Sequence, residues 1–261
     1  MSMKRIFISL VAIMAVSCMS ESSKFVTFTE ADDPTPVSEA SQSAWKSVGR
    51  LEATWASADS LYSRSEVPVK SDCKTMVLSG WKGERVSAQF LLYTGTGADG
   101  VKCTVNDFKS ESSSMPSEIA QARFVRYTLA DVGGPDCRCE RGPLHAHQLV
   151  PDMIDSLKVF NMDSRTVRPV WVTINIPENA EPGVYKTEVV VKAKGAAKIA
   201  MPVQLEVIDQ ILPDYTEWAF HLDLWQHPSA VARALNLDMW SDEHFEALKQ
   251  HMKPLAEAGQ K

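Results

Sequence analysis

Residues 170–208 read VWVTINIPENAEPGVYKTEVVVKAKGAAKIAMPVQLEVI, and this stretch decides the fold. It contains three segments rich in β-branched residues, Val170–Ile176, Val184–Ala193 and Ile199–Ile208. The first connection between them is rich in Pro and Gly, and the second is centred on Gly195, so both indicate turns. Short strands separated by turns, with no helical period between them, are typical of antiparallel sheets.

The same pattern extends upstream. Glu84–Tyr93 combines alternation with an apolar end, residues 101–105 alternate, and Ala122–Leu129 alternates again. We therefore predict a mainly β protein, in which an antiparallel β-sandwich occupies residues 45–210.

The pattern changes in residues 211–261. Glu217–Trp225 has the composition of a strand, and Ser241 before two acidic residues indicates a helix start. Helical spacing follows at Phe245, Leu248, Met252 and Leu255, with Pro254 expected to kink or divide the helix and Gly259 suited to its end. A strand, a loop and a helix form one βα unit. Since a (β/α)8 barrel takes about 250 residues, we interpret residues 211–261 as the first βα unit of an incomplete barrel.

The N-terminus has the layout of an export signal. Lys4 and Arg5 precede the apolar run Ile6–Val16, which is too short to cross a membrane because a spanning helix needs about 20 residues. Small residues then lead to Cys18, so residues 1–18 resemble a bacterial lipoprotein signal with lipidation at Cys18. A plain signal peptide cut near Ser17 is the alternative.

This interpretation makes residues 19–44 a polar tether, and the membrane is reached only through the N-terminal lipid. The expected location is the outer membrane or periplasm of a Gram-negative bacterium, or the exterior. With 27 basic against 33 acidic residues and a net charge of −6, no basic surface for nucleic acid is expected.

Four further cysteines, Cys73, Cys103, Cys137 and Cys139, would then lie in an oxidising compartment. They allow three pairings, among which the sequence does not choose. Cys137 and Cys139, with His145 and His147, are spaced too tightly for a typical zinc site, so free or oxidised thiols are favoured. We hypothesise that the surrounding loop, residues 131–149, borders the cleft of the barrel.

One glycine motif has a structural interpretation. Gly95-x-Gly97-x-x-Gly100 matches the spelling of a dinucleotide-binding motif, but a strand follows it instead of a helix. We therefore expect a hairpin turn there.

Five segments together resemble one enzyme family. They are Gly80–Arg85, Val150–Asp155, Pro177–Lys192, Phe220–Pro228 and Leu255–Lys261, of which the Leu-Asp-Leu-Trp-Gln-His-Pro sequence is the most specific. Over residues 45–261 the chain resembles the front part of glycoside hydrolase family 123, the bacterial β-N-acetylgalactosaminidases. The resemblance implies an N-terminal β-sandwich, a C-terminal (β/α)8 catalytic barrel and no metal or organic cofactor.

The resemblance also implies a mechanism and a partner, a glycan with a terminal β-linked GalNAc. The 2-acetamido oxygen attacks the anomeric carbon, an Asp stabilises the intermediate, and the neighbouring Glu protonates the leaving oxygen. This pair lies at the end of a later barrel strand. The sequence contains one Asp-Glu dipeptide, Asp242-Glu243, but its place behind an N-cap Ser favours a helix start. We assign no catalytic residue in this chain and expect it not to hydrolyse glycosides by itself.

Substrate contacts are predicted at the end of the first barrel strand, where barrel active sites form. The candidates are His221, Asp223, Trp225, Gln226 and His227. Asp223 could accept hydrogen bonds from sugar hydroxyls, Trp225 could stack on a pyranose, and Gln226 or His227 could bond the acetamide. The alternative is that these side chains fill the barrel interior, with Trp225 in its core.

A different class of function is also compatible with the sequence. A secreted, non-catalytic sandwich could bind glycan or protein on exposed tryptophans such as Trp45, Trp55 or Trp81, or act only as a spacer.

Overall fold

The computed structural model of the protein describes residues 30–34, 37–131 and 147–260. Its helices are α1 (Glu39–Ala44), α2 (Pro228–Leu235) and α3 (Asp242–Glu257). Its strands are β1 (Glu52–Ala56), β2 (Met76–Lys82), β3 (Arg85–Thr94), β4 (Ala98–Val105), β5 (Phe108–Lys109), β6 (Ser114–Met115), β7 (Ala120–Asp131), β8 (His147–Ile154), β9 (Phe160–Met162), β10 (Thr166–Asn175), β11 (Gly183–Lys192) and β12 (Ile199–Ile211).

The strands form two sheets that pack as a sandwich, which confirms the predicted fold class. One sheet has the order β1-β3-β10-β7-β8, and the other has the order β2-β12-β11-β4-β9, with β5 and β6 attached beside β11. Paired strands in both sheets are antiparallel, except for β2 and β12, which run parallel to each other.

The core lies between the sheets because inward-facing side chains of both sheets alternate with outward-facing ones. Phe90 and Phe124 from the first sheet meet Tyr185 and Leu205 from the second, and all four are almost completely buried. Trp55 packs edge-on against Phe90 with ring centroids 5.6 Å apart.

A second apolar cluster covers the outer face of the five-stranded sheet. Trp45, which follows α1, packs with Leu91, Tyr93 and Val167, and its indole N–H donates to the carbonyl of Ser65 at 2.8 Å. Helix α1 lies within the segment predicted as a tether. The prediction that Trp45 and Trp55 are exposed is wrong: each is 3% exposed, whereas Trp81 is 40% exposed.

The motif Gly95-x-Gly97-x-x-Gly100 forms a turn, but the expected hairpin is wrong. The turn joins β3 in one sheet to β4 in the other, so its flanking strands do not pair with each other. A side chain at Gly95 would overlap the backbone carbonyl of Val48, which explains the glycine there.

One end of the core contains a buried ion pair. The guanidinium of Arg126 on β7 donates to the carboxylate of Asp155, and both side chains are 8% exposed. The second oxygen of Asp155 accepts the amide of Leu157 at 3.0 Å. Arg168 on β10 is also buried and lies over the ring of Phe160 at 4.3 Å from its centroid.

The segment after β12 differs from the prediction in its first half. Residues 217–225 do not form the expected strand; a 3-10 turn spans Tyr215–Glu217, and Leu222 forms a single parallel bridge with Gln260. The loop predicted between strand and helix contains α2, which the sequence analysis missed. The predicted helix is confirmed as α3, which continues through Pro254 without being divided.

Several sequence predictions lie outside the described residues. They concern the signal segment with Cys18, the residues Cys137, Cys139 and His145, and most of the loop 131–149. Within the described part, Cys73 and Cys103 are free thiols. None of the helices described is both long and apolar enough to cross a membrane.

Candidate functional site

The predicted substrate-binding residues lie on an extended segment that leads into α2. Leu222 and Leu224 are half-buried, whereas His221, Asp223 and Trp225 alternate with them and are exposed. Trp225 is 92% exposed in the part of the chain that the structure describes. The aromatic ring and the two polar side chains are therefore free to meet a ligand.

Two glutamine side chains hold this segment by donating to one of its backbone carbonyls. Gln260, which bridges to Leu222, donates from its side-chain amide to the carbonyl of Leu224 at 3.1 Å. Gln226 donates to the same carbonyl at 2.8 Å. The parallel bridge is the pairing that neighbouring strands make in a (β/α)8 barrel.

Gln226 and His227 are brought together in a cavity of about 470 Å³. Its remaining lining comes from Gln260 and from one face of α2 and α3, including Val231, Leu248 and His251. His221, Asp223 and Trp225 do not line it, so the five predicted residues are divided between an apolar pocket and an exposed edge. His251 is a polar lining residue that sequence analysis missed.

A larger groove of about 940 Å³ lies between one end of the sandwich and residues 212–220. It contains none of the five predicted residues. Its lining includes Phe220, which stacks on Trp218 with ring centroids 5.3 Å apart. The backbone amide of Leu212 donates to the carbonyl of Lys82 at 2.8 Å, which ties this junction to β2.

A buried histidine connects α2 to the start of α3. His244 is 0% exposed, and its Nδ1 lies 2.9 Å from the backbone nitrogen of Trp240. Its Nε2 lies 2.9 Å from the carbonyl oxygen of Pro228, the residue that follows His227. Sequence analysis missed His244 because a polar residue in the first turn of a helix normally faces solvent.

The Asp-Glu dipeptide has the predicted structural role. Asp242 and Glu243 are exposed in the first turn of α3, where acidic side chains complement the helix dipole. The Ser241 hydroxyl accepts the amide of His244 at 3.2 Å, as expected for an N-cap.

Within residues 30–34, 37–131 and 147–260 there is no cluster of three His, Cys, Asp or Glu side chains able to hold a metal ion. Burial raises the pKa of the Cys103 thiol to about 12, so it stays protonated at neutral pH.

Comparison with known protein families gives two matches. Residues 55–193 match the family model described as the glycoside hydrolase 123 N-terminal domain. Residues 225–261 match the model described as the glycoside hydrolase 123 catalytic domain. The second match begins at Trp225, within the predicted substrate-binding segment. Among curated proteins, no sequence matches the chain.

A solved enzyme structure supports the fold. A family 123 glycoside hydrolase from Clostridium perfringens, studied for glycolipid glycan hydrolysis, superposes with a TM-score of 0.72 at 22% identity. The match covers 81% of this chain and 37% of that enzyme. A PapD-like domain of human CEP192 matches 71% of this chain and 96% of its own length, at a TM-score of 0.29 and 11% identity. The chain thus spans just over a third of the length of the Clostridium perfringens enzyme.

Proposed function

Because the chain belongs to glycoside hydrolase family 123, we propose that it is the front part of an enzyme that removes terminal β-linked GalNAc from glycans. The observation that carries this proposal is the catalytic-domain match over residues 225–261, downstream of the N-terminal-domain match. The glycolipid glycan hydrolysis studied for the Clostridium perfringens enzyme supports a glycan as the substrate class.

In this proposal the sandwich supports the barrel, and the extended segment contributes to the sugar site. Exposed Trp225 offers an aromatic face for a pyranose, and exposed Asp223 offers a carboxylate for sugar hydroxyls. In the reaction, the 2-acetamido oxygen would attack the anomeric carbon. A later barrel strand would supply the Asp that stabilises the intermediate and the Glu that protonates the leaving oxygen. The roles of Asp242 and Glu243 in starting α3 support the view that neither belongs to this pair.

Extending the reading frame tests the proposal. We expect codons after residue 261 to continue the barrel and to encode an Asp-Glu pair at a strand end. The longer polypeptide should hydrolyse an aryl β-GalNAc glycoside, whereas residues 1–261 should release no more aryl alcohol than a mock preparation. An aryl β-galactoside, which lacks the acetamide nucleophile, is the matched control and should not be hydrolysed. Equal turnover of both glycosides, or turnover by residues 1–261 alone, would contradict the proposal.

We further propose that the chain is exported and anchored through a lipid on Cys18. The apolar run before Cys18 and the small residues beside it support this proposal. In a Gram-negative host, the wild-type chain should incorporate radiolabelled palmitate and sediment with membranes. Cys18→Ser should lose both properties, while Cys73→Ser, which changes an exposed thiol of the sandwich, should retain them. Palmitate incorporation by Cys18→Ser would refute the anchor.

A further inference from the structure

His244 makes two hydrogen bonds whose directions follow from its chemistry. The backbone N–H of Trp240 can only donate, so Nδ1 of His244 is the acceptor of that 2.9 Å bond. The neutral imidazole then carries its proton on Nε2, which donates to the carbonyl of Pro228 at 2.9 Å. Both ring nitrogens are thus used, and the ring is completely buried.

The Nε2 bond joins two parts of the chain that are 16 residues apart, whereas the Nδ1 bond spans four residues. Pro228 begins α2 and directly follows Gln226 and His227, which line the 470 Å³ cavity opposite α3. Trp240 precedes the N-cap of α3 and has a positive φ of 68°, a conformation that costs energy for a residue with a side chain. The imidazole therefore stabilises a strained turn and fixes the end of the predicted sugar-binding segment to the first turn of α3.

We propose that His244 is a positioning residue for the sugar site: its Nε2–H holds Pro228 and thereby sets the orientation of Trp225, Gln226 and His227. This deepens the proposed function and rests on it, since the sugar contact of that segment belongs to the proposed function. His244 itself is buried and does not contact the sugar.

Two substitutions separate the two bonds. In His244→Asn, the side-chain oxygen lies near the place of Nδ1 and can still accept from Trp240, but nothing reaches Pro228. In His244→Gln, the longer side chain places its amide N–H near the position of Nε2 and can still donate to Pro228. Both variants replace the ring by an amide, so a general loss of packing affects both.

The probe is methyl β-N-acetylgalactosaminide, titrated into the longer polypeptide that carries the complete barrel and followed by NMR. We expect His244→Asn to weaken binding about fivefold or more, as for loss of one buried hydrogen bond. His244→Gln should retain the wild-type affinity within about twofold. Hydrogen exchange at the Ala230 amide should likewise be faster in His244→Asn than in His244→Gln. This amide donates to the carbonyl of His227 at 2.9 Å in the first turn of α2. The imidazole nitrogen spectrum of the wild type should show the proton on Nε2.

Equal sugar affinity in the two variants would overturn the positioning role, as would a proton on Nδ1. If the longer polypeptide with wild-type His244 binds no methyl β-N-acetylgalactosaminide, the sugar role of the segment fails. The Ala230 exchange rates and the tautomer then decide the structural part, and equal exchange in His244→Asn and wild type would refute it.

Discussion

Replacement of Asp155 by alanine is expected to lower the free energy of unfolding by about 3–5 kcal/mol. The carboxylate neutralises the guanidinium of Arg126, and both side chains are 8% exposed. Without the carboxylate, the buried guanidinium of Arg126 loses its partner on Asp155, and the amide of Leu157 loses its acceptor. Urea unfolding of the wild type and variant, followed by tryptophan fluorescence, measures the difference.

Asp152→Ala is the matched control because Asp152 is exposed on β8, close in sequence to Asp155. It should change the free energy of unfolding by less than about 0.5 kcal/mol. A loss below about 1 kcal/mol for Asp155→Ala, within the range of surface ion pairs, would show that other groups or solvent compensate the charge of Arg126. The buried pair would then have no large role in stability.

The sandwich strands were predictable because their signal is local. In Ile199–Ile208, Met201, Val203, Leu205 and Val207 occupy alternate positions, and all four face the core. The helix start at Ser241 was predictable for the same reason, since an N-cap and its acidic first turn occupy consecutive positions.

The errors concern features that depend on residues far apart in sequence. Residues 217–225 have strand composition, but a strand also needs neighbours that supply hydrogen bonds. Within the described residues, this segment finds one such partner, Gln260. The turn at Gly95 was recognised, but the sheet that receives the next strand depends on distant pairing, such as β4 with β11. Likewise, burial of Trp45 depends on contacts with Leu91, Tyr93 and Val167, far along the chain.

The candidate site was only partly predictable. The sequence singled out His221, Asp223, Trp225, Gln226 and His227 as candidates, but it left open whether Trp225 is exposed. The cavity and the two bonds of His244 were not predictable, because they depend on how α2 packs against α3. A buried polar side chain becomes evident only when its partners are in place.

Gly259→Ala is expected to accelerate hydrogen exchange at the Gln260 amide by about 100-fold, equivalent to about 3 kcal/mol of local stability. Gly259 has a φ of +96°, which L-residues adopt at a cost of about 1–2 kcal/mol. A Cβ at this position would also lie 2.5 Å and 2.6 Å from two carbon atoms of the Trp218 ring. Either the ring or the end of α3 must move.

Movement of the end of α3 would disturb the bridge between Leu222 and Gln260, because the Gln260 amide donates to the carbonyl of Leu255 in α3. A Trp218→Ala background separates the two contributions. There, Gly259→Ala retains only the conformational cost, so exchange should accelerate about 10-fold. An equal acceleration in both backgrounds would show that the Trp218 ring does not constrain Gly259. A smaller effect in the Trp218→Ala background would instead show that the glycine is required because Trp218 packs on it, and that this contact helps to set where Gln260 meets the extended segment that carries Asp223 and Trp225.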